Sequence, residues 1–265
     1  MIEQTLFPVK EVPAVGVFQT VEDSTKFGSE IDNTGYKFIM REDTGQILSC
    51  MTDEYKLVTN QEIIDAALPI ITKHDGIIRE AETLSEGRRT SWKFTFPKTT
   101  VTVQGDDKLN PEIILRNSYD GVWELSILGG AFRLVCSNGM VVGHVVTKKT
   151  NRHSIYNTSL ENLEELIVST VENLGEIFEK DFSLLTETKV NPTSVKKAIE
   201  LVPNKFMEQF AQYLIGKNIH TFWDLHNALT WVNTHHMNRK AGTTHKFEST
   251  IHSNVVKWAN IAANA

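Results

Sequence analysis

"GRRTSWKFTFPK", residues 87–98, places an aromatic side chain at every second position along its second half. The aromatic residues are Trp92, Phe94 and Phe96, and the residues between them are polar. Successive side chains of a β-strand point to opposite faces, so this spacing predicts a strand with one aromatic and one polar face.

Similar patterns on both sides of this stretch predict further strands. Residues 35–51, "GYKFIMREDTGQILSCM", indicate a hairpin that turns at Gly45, because glycine permits the positive φ of a tight turn. Residues 111–136 indicate two strands joined by a turn at 118–121, and "YKLVT", residues 55–59, indicates one more.

The pattern changes to helical spacing in the second half of the chain. Asn60 and Gly76 are predicted to cap and to end one early helix. After about residue 158, apolar residues recur three and four positions apart, and Thr158 or Ser159 can cap the first long segment. This first segment is predicted to be a helix over 160–182. Three more helices are predicted over 191–202, 203–216 and 221–236, the last capped by Thr221. Residues 236–250, "HMNRKAGTTHKFEST", are predicted to form a flexible contact segment.

This order of elements predicts an α+β fold. An antiparallel, β-rich half over residues 1–155 is expected to pack against a helical half over residues 156–265. The chain has no linker rich in proline, glycine or serine, so we expect the two halves to form one compact domain.

Composition indicates an ordinary globular chain. Its 265 residues are 40% hydrophobic and 23% charged, which allows a sizeable core. No apolar run approaches the roughly 20 residues that span a bilayer, and the N-terminus does not resemble a signal peptide, so a cytoplasmic location is expected. The net charge of −6 argues against a uniformly basic nucleic-acid binder, although binding depends on the field at one face.

Motifs for catalysis are weak. Cys136 stands at the predicted end of a strand, where a packed thiol is more usual than a nucleophile, and Asn138-Gly139 is explained by turn chemistry. The histidines between 220 and 252 lack the i,i+4 spacing of helical zinc ligands. The chain contains neither a Walker-type loop nor a G-x-G-x-x-G motif. We therefore expect no metal, no cofactor and no catalytic residue.

Two basic stretches point instead to a polyanion. Cations neutralise phosphates and aromatic rings stack on bases, which together bind single strands. The first stretch is the 88–98 hairpin, and the second is the segment 144–153, which has three cations and no acid. The candidate nucleic-acid-binding residues are Arg88, Arg89, Trp92, Lys93, Lys98, Lys148, Lys149, Arg152 and His153. The alternative for the hairpin is a strand with aromatics in the core and lysines in water.

Several separated phrases resemble the phage/plasmid-like proteins of the family called domain of unknown function 932. The resemblance begins at "YKLVTNQEIID", continues through the central block 114–140 and ends in "TFWDLHNALTWVNTHH". Tyr119 departs from the family's usual histidine in the central block, and Gly139 from its usual threonine. The matching residues include Asn117, Ser118, Asp120, Gly121, Arg133, Cys136, Asn138, Asn227, Thr230 and His235.

The resemblance implies a phage- or plasmid-encoded protein in the cytoplasm of a bacterial host cell. Our leading hypothesis is an oligomeric, non-enzymatic accessory protein of DNA metabolism that binds nucleic acid, most simply single-stranded DNA. A second hypothesis is a protein–protein module that acts on a host defence or regulatory factor. A third is a cysteine-dependent enzyme that uses Cys136 with His144 or His153.

Overall fold

The computed structural model describes residues 1–23, 26–104, 107–133, 139–140, 163–237 and 241–265. The strands are β1 (Val9–Asp23), β2 (Lys26–Arg41), β3 (Ile47–Thr52), β4 (Ile77–Leu84), β5 (Arg89–Thr95), β6 (Val101–Gln104), β7 (Asp107–Ser118), β8 (Ser126–Arg133) and β9 (Gly139–Met140). The helices are α1 (Asn60–Lys73), α2 (Leu163–Glu187), α3 (Pro192–Leu201), α4 (Met207–Lys217), α5 (Phe222–His235) and α6 (Ala241–Ala263). Antiparallel sheets occupy the first half and helices the second, so the predicted α+β class is confirmed.

A small sheet is formed by the first three strands in the order β1-β2-β3. The predicted hairpin at Gly45 is confirmed, because β2 and β3 pair antiparallel on either side of it and its φ is +71°. The amide of Gly45 donates to the carbonyl of Arg41 over 3.0 Å, which closes the turn.

The larger sheet has the order β4-β5-β7-β8-β9, and β6 pairs with β7. The predicted turn at 118–121 is confirmed between β7 and β8. Ser118 Oγ donates to the carbonyl of Trp123 over 2.8 Å and accepts from its amide over 3.1 Å. Gly121 has a φ of +68°, which suits a residue without a Cβ. These contacts return the chain sharply toward β8.

The register of the larger sheet separates an apolar row from a polar row. Trp92 lies between Ala81 and Leu115, and Leu115 pairs in turn with Ile127. The neighbouring row, on the opposite face, runs through Glu82, Ser91, Arg116 and Ser126. The alternation predicted for β5 is therefore confirmed for its aromatic residues, which are buried in the main core.

The main core draws its buried side chains from both halves of the chain. Trp92 and Phe94 of β5 belong to the same hydrophobic cluster as Ile63 of α1, Phe178 of α2 and Val255 of α6. Helix α2 contacts β6, β7 and β8, and α5 packs against α6. The sheet and the helices therefore share one interior.

The start of α1 differs from the prediction by one residue. Residues 55–59 form no strand; they lead into α1, and Thr59 is its N-cap. Thr59 and Glu62 form a reciprocal capping box. Because Thr59 caps the helix, the side chain of Asn60 is available for contacts in the interior. Asn60 is fully buried, and its side-chain Nδ2 donates to the carbonyl of Thr5 and to Thr90 Oγ1 over 2.7 and 3.0 Å.

The helical half follows the prediction in the order of its first four helices, although α2 runs on to Glu187 and the predicted caps Thr158 and Ser159 lie outside the described residues. The prediction differs at the end of the chain. Asn191 caps α3, and Thr221 caps α5 with a capping box to Asp224. The expectation of a flexible segment over 236–250 is wrong for its second part, because α6 begins at Ala241. The glycine and threonines there have low helix propensity, but Phe247, Ile251 and Val255 recur every fourth position and face the core.

In the part of the chain that the structure describes, no helix is long and apolar enough to cross a membrane.

Candidate nucleic-acid interface

The cations of the 88–98 hairpin are paired with acids. Arg88 lies 3.7 Å from Glu86, and Arg89 lies 2.8 Å from Asp120. Two lysines are paired as well: Lys93 Nζ lies 2.8 Å from Glu80 Oε2, and Lys98 Nζ lies 2.7 Å from Asp75 Oδ1. Each pair cancels much of the field that a phosphate would feel, so the hairpin alone is not a strongly basic surface.

Trp92 cannot act as the stacking residue that the sequence suggested. Its side chain is 0% exposed, and its Nε1 donates to Thr5 Oγ1 over 2.8 Å. A base would have to displace both the core packing and this hydrogen bond to reach the ring. This assignment is therefore wrong, and the alternative of a core aromatic applies to Trp92.

A different tryptophan lies next to two arginines on the polar side of the larger sheet. The guanidinium carbon of Arg116 lies 4.0 Å from the centre of the Trp123 ring, and that of Arg89 lies 5.9 Å from it. Trp123 is half-buried, directly after the turn that joins β7 to β8. We call these three residues the arginine–tryptophan cluster.

Arg116 carries a positive charge that the described residues do not neutralise. Burial, together with the nearby charge of Arg89, lowers its pKa to about 10. Its buried Nε has no hydrogen-bond partner, and no described carboxylate forms an ion pair with it. The carboxylate that contacts the cluster, that of Asp120, is bound by Arg89. A partly buried guanidinium is usually paired, so Arg116 is a candidate for binding an anion.

The cluster was hidden from sequence reasoning because its members come from three places in the chain. Arg116 of β7 lies opposite Ser91 of β5. Arg89 is two positions before Ser91, on the same face of β5, so the two arginines are neighbours. Trp123 arrives from the far side of a turn. The sequence pattern that could have indicated the cluster is a basic residue at a polar position of β7, Arg116, followed seven residues later by an aromatic residue, Trp123.

The central family residues hold this turn in place. Asn117 is buried, and its amide nitrogen donates to Asn60 Oδ1 over 2.8 Å and to the carbonyl of Val58 over 3.2 Å. Asp120 Oδ1 accepts from the amide of Val122 over 3.1 Å while its other oxygen accepts from Arg89 Nε over 2.9 Å. A Cβ on Gly121 would lie 3.2 Å from Met51 Cε. These contacts position Trp123 beside the arginines.

The late family residues belong to the packing of α5. Asn227 and Thr230 are buried, and Thr230 Oγ1 donates to the carbonyl of His226 over 3.0 Å. The ring of His235 lies 5.6 Å from that of Trp231. Both contacts lie within α5.

A polar seam, formed by His226 and Asn233 of α5, Glu248 and His252 of α6 and Asp181 of α2, lies among the helices. Asn233 Nδ2 donates to Glu248 Oε1 over 3.3 Å, and His252 Nε2 lies 2.9 Å from Asp181 Oδ2. Burial raises the pKa of Glu248 to about 8, so this carboxyl group is protonated at neutral pH. Among the described residues, no three potential ligands are arranged to hold a metal ion.

Several predicted residues lie outside the described part of the chain. These are Cys136, Asn138, Lys148, Lys149, Arg152 and His153, together with the side chain of Arg133. The backbone of Arg133 pairs with Leu109 at the end of β8. The basic segment follows β9, which is two strands from β7 in the sheet order. The predictions for these residues stay predictions.

Comparison with known proteins identifies a family but no characterised relative. Residues 47–258 match the family described as "Domain of unknown function (DUF932)", which covers most of the chain, so the chain belongs to that family. No curated protein matches it, and no solved structure matches it.

Proposed function

We propose that this member of the DUF932 family is a nucleic-acid-binding accessory protein, encoded by a phage or plasmid, that acts on single strands without catalysis. The uncompensated guanidinium of Arg116 on the polar side of the larger sheet is the observation that carries the proposal. A phosphate would supply the anion that this position lacks.

The neighbours of Arg116 suit a single strand better than a duplex. Trp123 offers a half-buried ring beside the two guanidinium groups, and stacking on such a ring requires an unpaired base. A phosphate beside Arg116 with a base against Trp123 would use the two members of the cluster that are not paired with an acid. The predicted basic segment, with Lys148, Lys149 and Arg152, would extend the contact to neighbouring phosphates.

Fluorescence anisotropy with labelled single-stranded DNA, duplex DNA and RNA tests the proposal at low and moderate salt. We expect single strands to bind more tightly than duplex, with an affinity that falls as salt rises. Binding to none of the three at low salt would refute the proposal.

Variants separate the cluster from the basic segment. Trp123→Leu removes one stacking platform and should weaken single-strand binding by about 1 to 3 kcal/mol. Arg116→Gln should weaken binding and lower the slope of log K against log salt by about 0.7, the share of one phosphate contact on a single strand. Lys217→Gln removes the same charge from an exposed position on α4 and should change neither quantity. Equal effects of Arg116→Gln and Lys217→Gln would show that only overall charge matters.

The basic segment has its own test. Replacing Lys148, Lys149 and Arg152 together by glutamine should weaken binding and flatten its salt dependence further. A triple variant with unchanged affinity would remove the segment from the interface.

Pull-down from host lysate separates nucleic-acid binding from the protein–protein alternative. Partners that are bridged by nucleic acid should disappear after nuclease treatment. A partner that survives nuclease, combined with no binding in the anisotropy assay, would favour a module that acts on a host protein.

A further inference from the structure

An apolar cavity of about 560 Å³ lies between α2 and α6, remote in sequence from the strands that carry the arginine–tryptophan cluster. Its walls include Ile177 of α2 and Val256 and Ile261 of α6. The volume falls within the range of small-molecule sites, roughly 300–1,000 Å³. Ile261 is 55% exposed at the mouth, so one wall of the cavity presents apolar surface to solvent.

The charged groups of this cavity favour a negative ligand. Lys180 of α2 and Lys257 of α6 stand on opposite walls, and both are exposed. The carboxylate in the lining, Asp181, is already engaged, because its Oδ2 lies 2.9 Å from His252 Nε2. An anionic head group would therefore lie near the ammonium groups of Lys180 and Lys257. The one carboxylate in the lining, that of Asp181, contacts His252.

We propose that the cavity between α2 and α6 binds an amphipathic anion, a molecule with an apolar chain and a single anionic head. The chain would lie against Ile177, Val256 and Ile261, and the head would lie between Lys180 and Lys257. Apolar burial supplies the affinity, and the two lysines select the sign of the charge.

Isothermal titration calorimetry on the full-length protein tests the site with decanoate, and with decanol and decylamine as uncharged and cationic probes of equal chain length. We expect decanoate to bind with a Kd below about 1 mM. Decylamine should bind more weakly than decanol. No decanoate binding, or equal binding of all three probes, would overturn the proposal.

Two variants with matched controls locate the binding. Ile261→Glu places a carboxylate at the mouth and should abolish decanoate binding, whereas Ile215→Glu alters another exposed isoleucine and should not. Because Ile261 is exposed, the variant should keep the unfolding midpoint of the parent protein. The double variant Lys180→Gln, Lys257→Gln should weaken decanoate binding by about tenfold and leave decanol unchanged. Unchanged binding in Ile261→Glu would place the ligand elsewhere and overturn the proposal.

Vesicles distinguish a lipid from a free solute as the source of the anion. Co-sedimentation with phosphatidylglycerol vesicles that Ile261→Glu abolishes would assign the anionic head to a lipid. Decanoate binding without co-sedimentation would assign it to a free solute. Co-sedimentation that Ile261→Glu leaves intact would count against the cavity.

Discussion

Glu248 should make the stability of the protein fall as pH rises. Its carboxyl group is 4% exposed, and burial raises its pKa from 4.5 to about 8. Below pH 4.5 both the folded and the unfolded protein hold this proton. Between pH 4.5 and pH 8 the unfolded protein releases it while the folded protein keeps it, so rising pH favours unfolding.

The size of the effect follows from the shift in pKa. One pKa unit corresponds to about 1.36 kcal/mol, and the full slope holds only well between the two pKa values, so Glu248 should lower the free energy of unfolding by about 3.5 kcal/mol between pH 5 and pH 8. The charges around it are Lys93, Glu112 and Arg79 of the sheet, and Asn233 donates to it from α5. Glu248→Gln keeps the shape of the protonated carboxyl group and removes its titration. The variant should therefore be more stable than the parent protein at pH 8, and nearly equal to it at pH 5.

Urea unfolding of both proteins at pH 5, 6, 7 and 8 measures the difference. The effects of other titrating groups cancel in the comparison, so the difference should grow by about 1.2 kcal/mol per pH unit. Glu200→Gln, at an exposed position of α3, should show no such growth. Parallel pH profiles for Glu248→Gln and the parent protein would refute the reasoning.

Three further substitutions test the architecture by urea unfolding at neutral pH. Asn60→Ala removes the side chain that joins α1 to Thr5 and to β5 and β7. It should lower the free energy of unfolding by about 3 kcal/mol, because buried partners lose their hydrogen bonds. A decrease below about 1 kcal/mol would contradict this role. Trp92→Phe removes the hydrogen bond to Thr5 and leaves a small void, and should cost about 2 kcal/mol. A change near zero would mean that the ring is not packed as described. Thr221→Ala removes the cap of α5 and should cost about 1 kcal/mol, and Thr193→Ala, at an exposed position of α3, serves as its control.

Local patterns in the sequence predicted much of the fold. The cap of α5 depends only on Thr221 and Asp224, three residues apart, so it could be recognised in the chain itself. The alternation through Trp92 and Phe94 likewise placed the aromatic face of β5. The prediction was wrong for 241–250, because tertiary packing of Phe247 and Ile251 outweighs the weak helix propensity of Gly242 and its threonine neighbours.

The candidate sites depend on longer distances. Whether a basic residue is free to meet a phosphate depends on where the acids lie, and sequence does not place them. Lys93 is paired with Glu80 across β4 and β5, whereas Arg116 forms no ion pair with a described acidic residue. The pairing of Arg89 with Asp120 depends on a turn 31 residues further along the chain.

The sequence by itself predicted a β-rich half followed by a helical half, the cap of α5 and the aromatic face of β5, because each depends on neighbours a few residues apart. Tertiary structure alone decided that Trp123 rather than Trp92 lies beside the arginines, that Arg116 forms no ion pair among the described residues, and that burial raises the pKa of Glu248. Those properties depend on burial and on the distances between charges, and both are set by residues far apart in the chain.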